Sequence, residues 1–452
     1  MKFSFCLLLT AALAAAAPPK IHIPIEKYKF DNGLRVVLSE DNTLPVVAVY
    51  VVYDVGSRSE EKGRSGFAHL FEHMMFEGSA NVKKGEHFRF IESNGGSLNG
   101  STHTDYTNYF ETLPANKLAV ALWLESDRMR SLNVTAENLA NQKEAVKQER
   151  RLSFDNQPYA TAIVDVWPTL VYKNWQSSHS LIGSFEDLNA ATVEDVSKFF
   201  KTHYAPNNAV LVVVGDIQTA DAKKLIETYF GDIPSQPQPK HPDMSEPADF
   251  KSRSIVHKDP LAQVPGVVVG FPGPQRRTPD YYALNMVDAI LTAGDSARLK
   301  QELVKGKKSV IQYESNLGWP FAGPLDYRDP GAWAIFMLHN PMFKSQQVVD
   351  QLQEEITKLQ TTLVDAKELE RVKAQVRAGR VRDVQGSLSR ARALGQHATF
   401  DGDPSVINTE LDAMMAVTPA QIQAVAKKYL VANRRAVLEI QPAPQPQQKE
   451  GK

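Results

Sequence analysis

The segment GFAHLFEHMMFEGS, from Gly66 to Ser79, places His69, Glu72 and His73 in a strongly apolar run. On a helix, His69 and His73 are four positions apart, so both imidazoles project from one face. Neutral imidazole is a good zinc ligand, and two from adjacent turns can bind one ion. Glu72 stays beside the pair, where its carboxylate can take a proton from a water molecule on the metal. The order H-x-x-E-H is the inverzincin signature and predicts a hydrolytic zinc site.

A core helix with stray polar residues is the alternative for this segment. That alternative leaves two imidazoles and a carboxylate in an apolar setting with nothing to compensate their burial, which is costly. Catalytic zinc normally keeps three protein ligands and leaves its fourth position to water. The zinc interpretation therefore requires a third ligand from elsewhere in the chain.

The elements that must position these residues repeat along the chain. With 452 residues the chain is too long for one core. One β-rich run lies near Val46 and another near Gln263. Each half ends with a threonine N-cap, an amphipathic helix, a tyrosine and an apolar strand, and Thr192 and Thr418 lie 226 positions apart. We therefore expect an internal duplication and an α+β fold of two similar halves.

A polar, proline-rich stretch from Gly231 to Ser252 lies close to the midpoint and is typical of a linker. We expect a first domain at residues 21–232, which contains the H-x-x-E-H segment, and a linker at 233–252. A related domain without the segment should follow at 253–441, with a flexible tail at 442–452.

The first residues, MKFSFCLLLTAALAAAAPPK, have the layout of a signal peptide. A lysine precedes a short apolar run, and an alanine tract follows, so we expect residues 1–17 to be removed. The apolar run is shorter than the roughly 20 residues that span a bilayer. Cys6 is the only cysteine and would leave with the signal, which suits an exported protein without disulfides. We expect export, to a bacterial periplasm; an uncleaved anchor is the alternative.

Composition excludes several classes of protein. Hydrophobic residues make up 42% and charged residues 23%, as in ordinary globular proteins rather than disordered or fibrous ones. The formal net charge of -1 argues against a dedicated nucleic-acid or anionic-membrane binder. The basic run from Arg371 to Arg392 could form a polyanion site, but recurrence at helical spacing favours a solvated helix face. We expect no nucleic acid and no membrane span among the binding partners.

Several further motifs give the chain a resemblance to the M16 family of zinc metallopeptidases. The H-x-x-E-H is followed, 76 residues after its second histidine, by Glu149 in the helical stretch ENLANQKEAVKQERRLSFDNQPY. The lead-in G-F-A-H at Gly66, the run GGSLNGSTHTDYTNYFETLP from Gly95 and the duplicated half also match the family. A single chain of two halves is similar to the M16B branch, which includes bacterial periplasmic peptidases and resembles the mitochondrial processing peptidase.

The resemblance implies a fold and a set of site residues. Each half would be a mostly antiparallel sheet packed with helices. His69, His73 and Glu149 would ligate one Zn²⁺ per chain, with Glu72 as general base. Because Glu149 lies in a charged helix it could also face solvent, and Glu144 is its nearest competitor.

Two further positions are implied near the metal and the substrate. Many family members have a glutamate seven residues before the ligand, where it supports a metal ligand; this chain has Gln142. Its amide can still hydrogen-bond a ligand. In the family the run from Gly95 includes an edge strand that binds the peptide substrate as an additional strand. Asn99 would be a substrate contact on that strand, with a plain surface hairpin as the alternative.

The resemblance also implies a partner chain. M16 active sites are completed by an arginine and a tyrosine from the half without the metal, and the matching stretch here is GDSARLKQELVKGKKSVIQY. Val304 and Ile311 stand where the arginine and tyrosine are expected, and neither can donate a hydrogen bond. Tyr313, two residues further along the same strand face, could be a shifted tyrosine. We expect a heterodimer with a homologous chain that carries the pair, and a homodimer is the alternative.

Together these features predict a zinc-dependent endopeptidase that hydrolyses unfolded or short peptides by attack of a zinc-bound water, with Glu72 taking the proton. Two alternatives belong to other classes. One is a non-catalytic scaffold or assembly subunit of the same fold, whose relatives typically lose the ligand set. The other is a peptide-binding module with a structural metal, although structural zinc is usually enclosed by four ligands that commonly include cysteine.

Overall fold

The computed structural model describes residues 22–246, 250–323 and 326–443. The predicted signal peptide, 1–17, lies outside these residues, as does the predicted tail beyond residue 443. Within them the strands are β1 (Glu26–Lys29), β2 (Arg35–Glu40), β3 (Val46–Tyr53), β4 (Ser97–Thr102), β5 (Thr107–Pro114), β6 (Ala209–Gly215), β7 (Arg253–Asp259), β8 (Gly266–Pro272), β9 (Val310–Leu317), β10 (Ala332–His339) and β11 (Ala436–Pro442).

Helices surround these strands, and short 3-10 and π segments connect several of them. The α-helices of the described residues are α1 (Phe67–Met74), α2 (Glu86–Ser93), α3 (Leu118–Ser131), α4 (Ala136–Arg150), α5 (Trp167–Val171), α6 (Trp175–Ser178), α7 (Phe185–Ala190), α8 (Val193–His203), α9 (Thr219–Phe230), α10 (Pro279–Thr292), α11 (Ser345–Thr361), α12 (Ala366–Asp383), α13 (Ser387–Gln396), α14 (Glu410–Met415) and α15 (Pro419–Tyr429).

The strands form two sheets with the same internal order. The first runs β1-β2-β6-β3-β5-β4 and the second β7-β11-β8-β10-β9. In each sheet one pair is parallel, β2 with β6 and β7 with β11, and the other pairs are antiparallel. Strand β1 is an addition to the first sheet. The prediction of an α+β fold with two similar, mostly antiparallel halves is confirmed.

The ends of the two halves match in detail. Thr192 begins α8 and Thr418 begins α15, and each hydroxyl accepts a hydrogen bond from the N–H three residues on. Each helix leads into a central strand of its sheet, β6 or β11. Strand β6, AVLVVVG, is buried throughout, as expected for a β-branched run with a covered face on both sides.

The halves exchange helices across their sheets. Helix α13 packs on β3 and β6 of the first sheet, so closely that a Cβ on Gly395 would lie 2.7 Å from the Tyr50 ring. Helix α5 packs on β8 and β11 of the second sheet, where a Cβ on Gly270 would lie 2.6 Å from the Trp167 ring. Each sheet is therefore covered on one face by a helix from the other half.

The domain boundaries at 232 and 253 stay a prediction, and β11 ends one residue inside the predicted tail.

The basic run lies on α12 and α13, and three of its arginines pair with carboxylates. The partners are Glu410 for Arg380, Asp41 for Arg390 and Asp326 for Arg392. These three arginines are paired with carboxylates, whereas a polyanion site needs positive charges that are not already paired.

Of the helices in the described residues, none combines the length and the apolar content needed to span a bilayer.

Candidate metal centre

Helix α1 carries the H-x-x-E-H residues and is fixed at its first turn. Gly66 precedes it with φ at 81°, and a Cβ there would lie 2.6 Å from the carbonyl oxygen of Ile182. The buried carboxylate of Glu60 accepts hydrogen bonds from the N–H groups of Gly66 (2.9 Å) and Ala68 (2.7 Å). A negative charge at this end satisfies free N–H groups and complements the helix dipole. The backbone of the histidine-bearing turn is therefore held in place.

The three predicted ligands meet between α1 and α4. Nε2 of His73 lies 3.3 Å and Nε2 of His69 3.7 Å from Oε2 of Glu149, and one ligand atom from each residue lies within 4.8 Å of the others. Ligands at about 2.0–2.1 Å around a tetrahedral zinc ion lie roughly 3.4 Å apart. The donor set and spacing fit zinc. Glu144 instead faces solvent and pairs with Lys147.

The protonation states of two of these three groups suit a metal ion. Burial, together with the neighbouring His73, lowers the pKa of His69 to about 4. The hydrogen bond from His73 holds the pKa of Glu149 below its ordinary value. Burial opposes the charging of His73, but the hydrogen bond to Glu149 and the charge of Glu72 outweigh it and raise the His73 pKa. A neutral His69 and an ionised Glu149 are the states that metal binding requires.

Glu72 is tied to the edge strand β4. The hydroxyl of Thr102 donates to Oε2 of Glu72 at 2.6 Å, and a Cβ on Gly100 would lie 3.2 Å from Oε1. Burial raises the pKa of Glu72, against the hydrogen bond from Thr102. Thr102 therefore holds the carboxylate of Glu72 through Oε2. Thr102 was not singled out from the sequence, although it falls in the quoted run NGST.

Gln142 lies beside the metal ligands. Its Oε1 accepts a hydrogen bond from Nδ1 of His73 at 3.1 Å, and its Nε2 donates to Oε1 of Glu77 at 2.7 Å. Gln142 thus contacts a predicted ligand through an amide instead of a carboxylate, and its support of a metal site stays a prediction. Glu77 was not identified from the sequence, although it follows Met74, Met75 and Phe76 in the same apolar run, where a carboxylate needs compensation.

Asn99 is exposed on β4, and its Oδ1 accepts a hydrogen bond from the N–H of Gly100 at 2.9 Å. Strand β4 is the outer strand of the first sheet, beside α1. No contact joins Asn99 to the three ligands among the described residues, and its role stays a prediction.

A second group of possible ligands is buried beneath α2, where His87, Glu111 and Glu125 approach one another. The guanidinium of Arg128 forms a short ion pair with Glu125 and lies 3.7 Å from Glu111. Burial and the charge of Glu125 raise the pKa of Glu111 well above its ordinary value. An arginine and a protonated carboxyl compensate the buried charge here, so this group does not fit a metal ion.

The second half lacks the arginine and tyrosine at the expected positions. Val304 packs against the core of that half, and Ile311 is 51% exposed on β9. The pairing register shifts at Ile311, because Val310 pairs with His339 and Gln312 with Leu338. Tyr313 is half-buried, and its hydroxyl donates to the carbonyl oxygen of Thr292 at 3.2 Å. The hydroxyl of Tyr313 is therefore engaged within its own half.

Comparison with known proteins gives consistent matches. The family model "Insulinase (Peptidase family M16)" matches residues 35–183, and "Peptidase M16 inactive domain" matches residues 190–376. The chain is 29% identical to the zinc protease PqqE of Helicobacter pylori over 384 residues, 84% of each chain. It is 23% identical to a probable mitochondrial-processing peptidase subunit beta of Schizosaccharomyces pombe, over 87% of this chain and 85% of the relative. A crystal structure of a protease from Helicobacter pylori aligns with a TM-score of 0.86 and 26% identity, covering 93% of this chain and 100% of that one.

Proposed function

The chain belongs to the M16 peptidase family, and on that premise we propose that it is a zinc-dependent endopeptidase acting on unfolded or short peptides. One observation carries the proposal. The nitrogen and oxygen donors of His69, His73 and Glu149 converge on one point, and Glu72 lies on the same helix as the two histidines. A ligand triad beside a carboxylate base is the arrangement of hydrolytic zinc enzymes.

The roles of the residues follow from their chemistry. His69, His73 and Glu149 would hold one zinc ion per chain. Zinc bound there would act as a Lewis acid that lowers the pKa of a water molecule. Glu72 would take a proton at Oε1 and pass it to the leaving amine, while Thr102 holds its other oxygen. The raised pKa of Glu72 suits a residue that both accepts and returns a proton.

The open edge of β4 supports a peptide substrate. A peptide that pairs with an edge strand gains backbone hydrogen bonds that depend little on its sequence. It must be extended to pair in this way, which favours unfolded or short chains. Asn99, exposed on this strand, would contact the peptide.

A homologous partner chain would complete the site. Val304 and Ile311 cannot polarise a substrate carbonyl, and the hydroxyl of Tyr313 is bound to Thr292. Stabilising the charge of a tetrahedral intermediate needs hydrogen-bond donors. We favour a heterodimer with a chain that supplies an arginine and a tyrosine over a homodimer. The signal-peptide pattern supports a periplasmic location for the pair.

A peptidase assay with metal removal tests the proposal. The purified chain, with and without a co-expressed homologous chain, is incubated with quenched fluorescent peptides. We expect weak hydrolysis alone and stronger hydrolysis with the partner, both lost on chelation and restored by zinc. Hydrolysis that persists without metal would contradict the zinc role. Failure to hydrolyse any peptide with zinc and the partner present would favour the scaffold alternative.

A further inference from the structure

We propose that Glu77 is a positioning residue of the metal centre and acts on His73 through Gln142. The inference rests on the proposed zinc site and extends it by two residues. A continuous chain of contacts carries it. His73 Nδ1 donates to Gln142 Oε1 (3.1 Å), Gln142 Nε2 donates to Glu77 Oε1 (2.7 Å), and Lys84 Nζ lies 2.5 Å from Glu77 Oε2.

Glu77 is held firmly enough to orient its neighbour. Its side chain is 7% exposed, three residues beyond the end of α1. The backbone N–H of Glu77 donates to the carbonyl oxygen of Met74 (3.0 Å), and its own carbonyl accepts a hydrogen bond from the side chain of Asn138 (3.2 Å). A buried carboxylate needs compensation. Lys84 and the amide of Gln142 supply it.

This contact fixes which way the amide of Gln142 points. A side-chain amide has a donor end and an acceptor end of nearly the same shape, so its surroundings decide the orientation. An ionised carboxylate only accepts hydrogen bonds, so Glu77 requires the NH₂ end of Gln142. The oxygen of Gln142 must then face His73.

The amide orientation in turn fixes the tautomer of His73. An amide oxygen only accepts, so Nδ1 of His73 must carry the proton. Nε2, which lies 3.3 Å from Glu149 and donates to it in the metal-free protein, is then the nitrogen that would give up its proton to a metal ion. The second ring nitrogen of a metal-ligating histidine commonly has such a partner. Here the direct partner of His73 is the neutral amide of Gln142, and the negative charge is on Glu77, the next residue in the chain of contacts.

The same chain of contacts explains why position 142 is an amide. A glutamate there would place two carboxylates about 2.7 Å apart in a buried setting, and one of them would have to take up a proton. Glu77 and Gln142 are therefore a matched pair. Exchanging the two residue types should keep one charge and one amide in the chain of contacts.

The exchange can be tested by zinc affinity, measured by competition with a chromophoric chelator. We expect Glu77→Gln and Gln142→Glu each to weaken zinc binding by about tenfold, since partners of metal ligands typically contribute about 10–100-fold. The double variant E77Q/Q142E should return to within about threefold of the parent, because coupled residues are not additive. The control is Glu144→Gln, an exposed residue of α4 that touches none of these groups and should leave the affinity unchanged.

A second measurement reads the tautomer without metal. Nitrogen-15 NMR of the metal-free protein, at a pH where the ring is neutral, should find a larger share of the His73 proton on Nδ1 in the parent and in the double variant than in Glu77→Gln, with Glu149 competing for it at Nε2 in all three. In Glu77→Gln the amide of Gln142 can turn over, so the share on Nδ1 should fall. Single variants that bind zinc like the parent, a double variant as weak as the single ones, or an unchanged tautomer in Glu77→Gln would overturn the inference. A parent chain that binds no zinc would refute the proposed function instead, and the NMR result would still decide the role of Glu77.

Discussion

The two halves share a strand order but differ in the helix that follows the β3-type strand. In the first half α1 packs against α4 and presents His69, Glu72 and His73. In the second half α10 packs against α12 in the same way but contains no histidine. Its half-buried Asp288 accepts hydrogen bonds from Ser315 and Trp333 and so joins α10 to β9 and β10. One duplicated frame can therefore hold either a cluster of candidate metal ligands or a purely structural polar contact.

Buried charges are also used differently in the two halves. Around the metal centre, Glu60, Glu77 and Gln142 support the helix and the ligands. In the second half the carboxylate of Asp401 pairs with Arg276 and His397, at 3.0 and 2.8 Å, and these contacts join the π segment after α13 to the turn between β8 and α10. We therefore expect substitutions in the first half to change catalysis and those in the second half to change stability.

The largest expected effect is that of Glu72→Gln. The amide introduced by this substitution can still accept the hydrogen bond from Thr102, but it cannot take a proton. Turnover of a fluorogenic peptide should fall by about 10²–10⁴-fold, the usual contribution of a general base. Zinc content should stay at the parent value. Turnover within a factor of a few of the parent would exclude Glu72 as the base.

The next effect is on stability and separates the second half from the first. Burial opposes the charge of Asp401, but hydrogen bonds from His397 and Arg276 outweigh it and lower the Asp401 pKa to about 2. Because the folded pKa is lower than the ordinary value of 3.8, ionised Asp401 stabilises the fold above about pH 4, and this is lost as the pH falls toward 2. A shift of this size corresponds to about 2 kcal/mol.

Urea unfolding of Asp401→Asn at pH 7 should therefore show a loss of at least about 2 kcal/mol, since Arg276 also loses its charged partner. The variant's unfolding free energy should also depend less on pH between about 4 and 2. Its zinc content should not change. If Asp401→Asn lost zinc but kept the stability of the parent, the expected difference between the two halves would be contradicted.

The smallest effects come from the same substitution made in each half. A Cβ on Gly100 would lie 3.1 Å from the Tyr109 ring and 3.2 Å from Glu72, so Gly100→Ala should displace the base slightly and cut turnover by about tenfold. A Cβ on Gly379, inside α12, would meet nothing closer than 4.0 Å. Gly379→Ala should leave turnover unchanged and stabilise the protein by about 0.5–1 kcal/mol. Equal effects of the two variants on turnover would contradict the special position of Gly100.

The features that sequence alone predicted are those specified locally. The threonine caps at 192 and 418 and the four-residue spacing of His69 and His73 depend on neighbours within one or two helical turns. The duplicated strand order followed from the repeated pattern. The exchange of α5 and α13 between the sheets was not predictable, because it depends on the Tyr50–Gly395 and Trp167–Gly270 packing between residues far apart in the chain. The contact of Gln142 with Glu77 was missed for the same reason: the two residues are 65 positions apart and meet only in the folded chain.

The zinc content of matched histidine variants tests the central claim most directly. His73→Ala removes a ligand in the first half, and His257→Ala removes a half-buried histidine from β7 in the second half. Elemental analysis of the purified proteins should find about one zinc per chain in the parent and in His257→Ala, because the site has one set of three ligands. His73→Ala should contain little or none after dialysis. Stoichiometric zinc in His73→Ala would contradict the account.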